Sequence, residues 1–299
     1  MWMIYIYNGD KMKTKSKKRN KYIFIILVLA TIYITYNYLD KKNIEISDKD
    51  IVDLVINNSF KEENLVKRMI NQNNNPILLL NESYESVVEK TSQTNPIIYI
   101  YNSHPTEEYK SSTLGEYSIN PTVIMNNYIL EDIFNKRGYK TYVEEQSVKD
   151  ILDNNNWNYA SSYKASRQLI ESAKMKYPTL SYYIDIHRDS LEKEKTTITI
   201  DGKDYAKLIF LLGLENPNYK ENNEFIEKIN NKVDEYYPGL SKGIYKKEGP
   251  GVNGVYNEDF SNRLILVEIG GYENTPSEVL NTSIAFSKCY LEVLDEENS

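Results

Sequence analysis

Histidine and cysteine are scarce in this chain: two histidines and one cysteine occur in 299 residues. A single cysteine excludes an intramolecular disulfide. Cys289 lies in Ala285-Phe286-Ser287-Lys288-Cys289-Tyr290-Leu291, which reads as an amphipathic helix, so it is expected to be a small buried hydrophobe and not a nucleophile. Phenylalanine is also sparse, at 7 against 27 tyrosines, a bias read as compositional filler with no functional content. Net positive charge is missing: the formal charge of −7 repels nucleic acid and gives no support to a DNA or RNA partner. No internal repeat is visible. The apolar fraction of 40% is enough for a buried core, and the length suits one large domain or two modest ones.

Charge is absent from one stretch altogether. Tyr22 to Tyr36 contains no charged side chain, and the apolar run extends to about Leu39, close to the roughly 17–20 residues that span a bilayer. Lys11, Lys13, Lys15, Lys17, Lys18, Arg19 and Lys21 precede it, which places the N-terminus in the cytoplasm. Thr35-Tyr36-Asn37-Tyr38 offers no small-x-small cleavage site, so an uncleaved signal anchor is favoured over a signal peptide. The expected organisation is a cytoplasmic basic tail (1–21), a transmembrane anchor (22–39), an extracytoplasmic stalk (40–94) and a catalytic domain (95–297).

From Asn95 onward, strand-like and helix-like segments alternate. Strands are expected at Ile97–Tyr101, Lys140–Val143, Tyr182–Ile186 and Leu264–Glu268. Helices are expected at Pro121–Lys136, Tyr163–Lys176, Tyr219–Tyr237 and from Thr275 to about Leu294. Asp201-Gly202 marks a hairpin between Lys195–Ile200 and Asp204–Leu212. The pattern implies an α/β domain on a mainly parallel sheet flanked by helices, made mixed by that hairpin.

Each histidine follows an apolar, strand-like run and has carboxylates within three residues. His104 stands in Ser103-His104-Pro105-Thr106-Glu107-Glu108-Tyr109, and His187 in Asp185-Ile186-His187-Arg188-Asp189-Ser190. Two imidazoles and a carboxylate are what a zinc site of the two-His-one-carboxylate type requires. Glu107, three residues after His104, is the natural third ligand, with Glu108 and Glu116 as competitors. Asp185 shares a strand face with His187 and is placed to orient its imidazole. Asp189 either does likewise or pairs with Arg188. Glu268 ends an apolar strand, where a carboxylate is costly unless paired or near a cation. Arg188 is a candidate for oxyanion or carboxylate binding, or a strand-end salt bridge.

These residues resemble the stage II sporulation protein P family. Asn102 to Tyr109 is similar to its His-x-His-x-x-Glu-x-Tyr signature, and Asp185 to Asp189 to its Asp-x-His-Arg-Asp element. Thr196–Ala206, Pro250–Asn257 and Glu268–Thr275 complete five ordered motifs, and the likeness runs from Ile97 to Val293. Asn102 departs from the pattern where the family often carries its first histidine, which leaves His104 as the metal-bound residue. Tyr109, Asn253 and Asn274 join the candidates for orienting ligands or meeting substrate.

The resemblance implies a zinc-amidase-like fold and a membrane-anchored enzyme acting on peptidoglycan. The implied reaction is cleavage of the MurNAc–L-alanine amide, together with stem-peptide cross-links, during septal wall degradation and engulfment. The implied partners are stage II sporulation proteins D and M. In the corresponding mechanism His104, Glu107 and His187 hold Zn²⁺, and Glu268 serves as general base and then acid. A zinc carboxypeptidase acting on stem peptides and a non-catalytic wall-binding scaffold are the alternatives.

Overall fold

The fold is built on a sheet whose central strands are apolar on both faces, and the computed structural model describes it for residues 95–110 and 121–299. The expected tail, anchor and stalk (1–94) and Glu116 lie outside the described residues. Among the described residues, no helix is long and apolar enough to cross a membrane.

Six strands form the central sheet: β1 (Ile98–Tyr101), β2 (Thr141–Val143), β3 (Tyr182–Asp189), β6 (Leu208–Gly213), β7 (Ser241–Lys247) and β8 (Leu264–Gly271), in the order β2-β1-β3-β8-β6-β7. The first four in that order run parallel, and β6 and β7 are parallel to each other but antiparallel to β8. The sheet is therefore mixed and mostly parallel, but not for the expected reason. The Asp201-Gly202 hairpin, β4 (Thr197–Ile200) and β5 (Lys203–Ala206), forms a separate two-stranded sheet. Its turn has φ of 50° at Asp201 and 78° at Gly202, as a tight two-residue hairpin turn requires. The antiparallel β6–β8 pairing makes the central sheet mixed: the chain breaks after Ala206 and re-enters as β6, so the single expected strand Asp204–Leu212 is two.

Period-two alternation sorts the strands onto two faces. Ile98, Ile100, Ile184, Ile186, Ile265, Val267 and Ile269 belong to the larger core, against α1 (Ile124–Lys136), α5 (Tyr219–Tyr236) and α6 (Pro276–Glu297). Tyr99, Tyr101, Tyr183 and Leu264 pack on the opposite face against Ile170 and Ala173 of α3 (Ser162–Lys176). α2 (Val148–Asn155) closes over α3 through Val148, Ile151, Leu152 and Leu169. A one-turn helix, α4 (Lys193–Thr196), leads into the hairpin.

The closing helix has the strongest local signal. Pro276 opens α6, and a capping box joins Thr275 and Glu278, each satisfying the other's backbone N–H. Cys289, on this helix, is fully buried, and burial pushes its thiol up to about 12, which removes it as a nucleophile. α1 begins three residues later than expected, because Tyr109 and Val123 exchange main-chain bonds with Pro121 and Glu107.

Glu258 is fully buried, and its carboxylate accepts from the Gly213 N–H at 2.7 Å. That bond seats the segment before β8 on the end of β6. A Cβ on Gly213 would lie 2.2 Å from the Gly254 carbonyl oxygen, so only glycine permits the approach. Burial pushes the Glu258 carboxyl well above the usual carboxylate range. A group whose pKa rises on folding contributes stability below its unfolded value and loses it as pH rises through the folded value. Glu258→Gln keeps the acceptor and removes the titration. Its stability advantage over the parent should widen as pH rises above the ordinary carboxylate range in denaturant unfolding; parallel pH profiles would show that Glu258 is ionised in the fold.

Candidate metal centre

The site forms on the α3 face of the sheet, at the carboxyl ends of the parallel strands, where open α/β sheets collect functional groups. His104 sits in the turn after β1. His187 is in β3, which runs three residues beyond the expected end, to Asp189. Glu268 is likewise inside β8 and is the direct register partner of His187. In a parallel pair such partners project to the same side, so the imidazole and the carboxylate share one face.

His104, Glu107 and His187 bring their ligand atoms within 4.8 Å of one another. Glu107 Oε2 lies 3.4 Å from His187 Nδ1, and Oε1 lies 3.9 Å from His104 Nδ1. Zn–N and Zn–O bonds of about 2.0–2.1 Å in a tetrahedron separate ligand atoms by about 3.3 Å, so the donor set suits zinc with little movement.

The other side of His187 is fixed. Its Nε2 lies 3.1 Å from Asp185 Oδ1 and 2.9 Å from Ser103 Oγ. Asp185 is fully buried and accepts from the Ser103 N–H at 2.8 Å and its hydroxyl at 2.7 Å. Nε2 is thus committed to the carboxylate and Nδ1 is turned toward Glu107, the pattern of a carboxylate-oriented metal ligand. Burial would lower the pKa of His187, but Asp185 and Glu107 outweigh it and raise the imidazole to about 10. The surroundings favour positive charge at this position, which a bound cation would supply.

His104 is the opposite case: burial and the neighbouring His187 lower its pKa, leaving a neutral ring. Its ring stacks on Tyr159 at 4.7 Å and meets Tyr163 edge-on at 5.3 Å. Burial acts to raise Glu107, but its bond to His187 and the Arg188 N–H (3.1 Å) prevail and keep it an anion. Burial lifts Glu268 to about 7 against the opposing pull of His187, poising it to exchange a proton near neutrality.

The other sequence candidates have definite places. Arg188 donates to the main-chain carbonyls of Glu108 and Asp189, bracing the His104 loop against β3. Asp189 accepts from the Leu191 N–H and pairs with Lys242 at 3.0 Å; it forms neither an His187 contact nor an Arg188 side-chain bridge. Glu108 is outside the cluster, with its carboxylate 3.9 Å from Lys110. Tyr109 is buried, donating to the Ile269 carbonyl and accepting from Asn126. Asn274 is buried and joins Gly271, Thr197 and Glu278. Asn253 shapes its own loop by accepting from Val255 and Tyr256. Asn102 bonds the Ile186 carbonyl and Asn127, a brace between β1, β3 and α1 and not a ligand.

Sequence reasoning did not single out Ser103, Tyr159, Tyr163 or Lys242. Ser103 was recognisable only as the neighbour of His104. The others reach the site through tertiary packing, and nothing local marks them.

The profile of the stage II sporulation protein P (SpoIIP) family matches residues 13–290. The chain belongs to the stage II sporulation protein P family. It is 33% identical over 213 residues to Stage II sporulation protein P of Bacillus subtilis (strain 168), covering 69% of this chain and 53% of that protein. The chain thus spans about half the length of the curated SpoIIP relative it matches. Among solved structures it is similar to Cwp6 from Clostridium difficile, at 10% identity and a TM-score of 0.41, covering 68% of this chain and 30% of that one.

The Asp185–His187 contact carries a prediction for this SpoIIP chain. Asp185→Asn and Ser103→Ala should each lower zinc affinity about 10- to 100-fold in competition titrations with a chelating indicator. Unchanged affinity in both would mean that His187 is not oriented through this pair.

Proposed function

We propose that this SpoIIP chain is a zinc-dependent N-acetylmuramoyl-L-alanine amidase. The observation that carries the reading is the cluster of His104, Glu107 and His187 with Glu268 in register beside it. Zinc, when bound, supplies Lewis acidity to a scissile carbonyl and lowers the pKa of water. His104, Glu107 and His187 would hold the ion, the number of protein ligands a catalytic zinc site uses. Glu268 takes the proton of the attacking water and returns it to the leaving amine of L-alanine, and its lifted pKa suits both transfers. The Asp185–Ser103 pair holds His187 in the tautomer that offers Nδ1. Tyr159 and Tyr163 pack on the His104 ring and limit its rotation.

The same reading makes peptidoglycan the substrate, with stem-peptide cross-links as a second target. It places the domain outside the cell membrane, behind an N-terminal anchor, in sporulation and engulfment. Stage II sporulation proteins D and M are the partners it implies. Family membership supports the sporulation and engulfment role.

Two measurements test the chemistry. The zinc-loaded full chain should release stem peptides with a free L-alanine amine from purified sacculi, and chelation should stop the release. Release of a C-terminal amino acid alone would identify a carboxypeptidase. Glu268→Gln should retain metal while losing at least about 100-fold in rate, whereas His104→Ala and His187→Ala should each lose metal. Normal turnover by Glu268→Gln would remove it from the proton-transfer role.

A further inference from the structure

One surface beside the metal cluster carries no charge. Residues 154–163 are asparagine, serine, alanine and aromatics, without a charged side chain in a chain that is 26% charged. The charges that flank them are answered: Asp153 pairs with Lys149, and Lys164 Nζ lies 3.7 Å from the Trp157 ring centroid. Local structure brings this strip to the site. Asn156, at φ 54°, ends α2. Trp157 then packs on the α2–α3 core, and its main-chain N–H donates to the Leu152 carbonyl at 2.8 Å. A single 3-10 turn, Tyr159–Ser161, leads into α3 and lays Tyr159 on His104.

Tyr159 is held and open at once. Its ring stacks on His104 with the planes 19° apart, yet the residue is 56% exposed. Of the exposed large hydrophobic side chains among the described residues, it alone stacks on a ligand of the cluster. Asn156, Asn158 and Ala160 are exposed around it, and the Asn158 side chain makes no capping bond to the 3-10 turn. An open aromatic ring among neutral amides suits a ligand with an apolar ring face, hydroxyls and acetamido groups. A peptide bearing carboxylates would find no cation in the strip. Covalent structure narrows the choice further. In a MurNAc–L-alanine substrate the scissile carbonyl hangs from the sugar by a lactyl ether. Those three bonds span about 3.8 Å at most, as between consecutive Cα atoms. The sugar must therefore lie against the ligand cluster itself, which is where Tyr159 stands.

We infer that Tyr159, with the exposed amides of Asn156 and Asn158, forms the subsite for the N-acetylated sugar that bears the scissile amide. The inference rests on the amidase reading and gives that reading a direction. His104 follows β1 and Glu268 lies in β8, on either side of β3 and His187. The glycan then occupies the Tyr159 side, and the leaving amine of the peptide lies on the Glu268 side, where its proton is delivered. Tyr159 binds substrate and takes no part in the proton transfers.

Binding tests the subsite apart from turnover. The full chain carrying Glu268→Gln is titrated with fluorescent chitotetraose, which has N-acetylated sugars but neither peptide nor lactyl group. A parallel titration uses fluorescent L-Ala-γ-D-Glu-L-Lys. Chitotetraose should bind with or without zinc, and salt should hardly change its affinity, because the ligand and the strip are both neutral. Adding Tyr159→Ala should weaken chitotetraose about tenfold, whereas Tyr159→Phe, which keeps the ring, should bind it like the parent. Tripeptide affinity should be the same in all three. Absence of chitotetraose binding by the parent, or its survival in Tyr159→Ala, overturns the proposal. Loss of tripeptide affinity alone in Tyr159→Ala also overturns it, by giving the ring to the peptide. Tyr159-dependent glycan binding, in a chain that with Glu268 intact never releases stem peptides, would keep the subsite and discard the amidase reading.

Discussion

The candidate site depends on one buried carboxylate. Asp185 has no solvent to satisfy it, and an isolated anion there would cost several kcal/mol. Three donors answer it: the Ser103 N–H, the Ser103 hydroxyl and His187 Nε2. Two of them come from the residue next to His104, so the bonds that stabilise Asp185 also fix the His104 loop to β3. Both imidazoles are positioned by the same anion, one directly and one through its chain neighbour. Glu107 completes the arrangement from that loop, reaching His187 and the Arg188 N–H. The separation of ligand atoms is thus set by backbone and second-layer bonds before any cation arrives.

The parallel sheet supplies the rest. His187 and Glu268 come from strands some 80 residues apart in sequence, yet register alone sets them side by side. A one-residue slip of β8 against β3 would turn Glu268 to the larger core and bring Val267 or Ile269 to the site. The alternation of isoleucine and valine on the core face opposes that slip. Core packing against α1, α5 and α6 therefore fixes the position of Glu268 beside His187, although Glu268 projects to the opposite face of the sheet.

Much of this was legible in the sequence, for identifiable reasons. Four of the strands and four of the helices follow period-two and period-3.6 patterns that burial imposes, and Thr275-Pro276 with Glu278 marks the start of the last helix. His104, Glu107, His187 and Asp185 stood out because imidazoles are rare here and carboxylates sit close in sequence. β7 was not legible: Ser241–Lys247 is half-exposed, carries three lysines and is interrupted by a bulge at Gly243, so it shows no alternation. α2 was missed because its eight residues are mostly polar. Neither role read for Asp189, orienting His187 or pairing with Arg188, is the one it has, because its partner Lys242 lies 53 positions away. The hairpin was found, but its sheet was not, since membership in a sheet depends on which strand comes alongside.

Charge balance around the site joins these observations. Asp185, Glu107, Glu268 and Asp189 all face or flank one small volume, with Lys242 as the ammonium answering Asp189. In a low-dielectric setting that many acids cannot all ionise without added positive charge. The chain responds in two ways: His187 holds a proton far above its ordinary range, and Glu268 keeps its own to about neutrality. A divalent cation at His104, Glu107 and His187 would replace the His187 proton and favour ionised Glu268 by the same electrostatics. Metal binding and ionisation of Glu268 would then be one event: the cluster that holds the ion would also charge the carboxylate beside it.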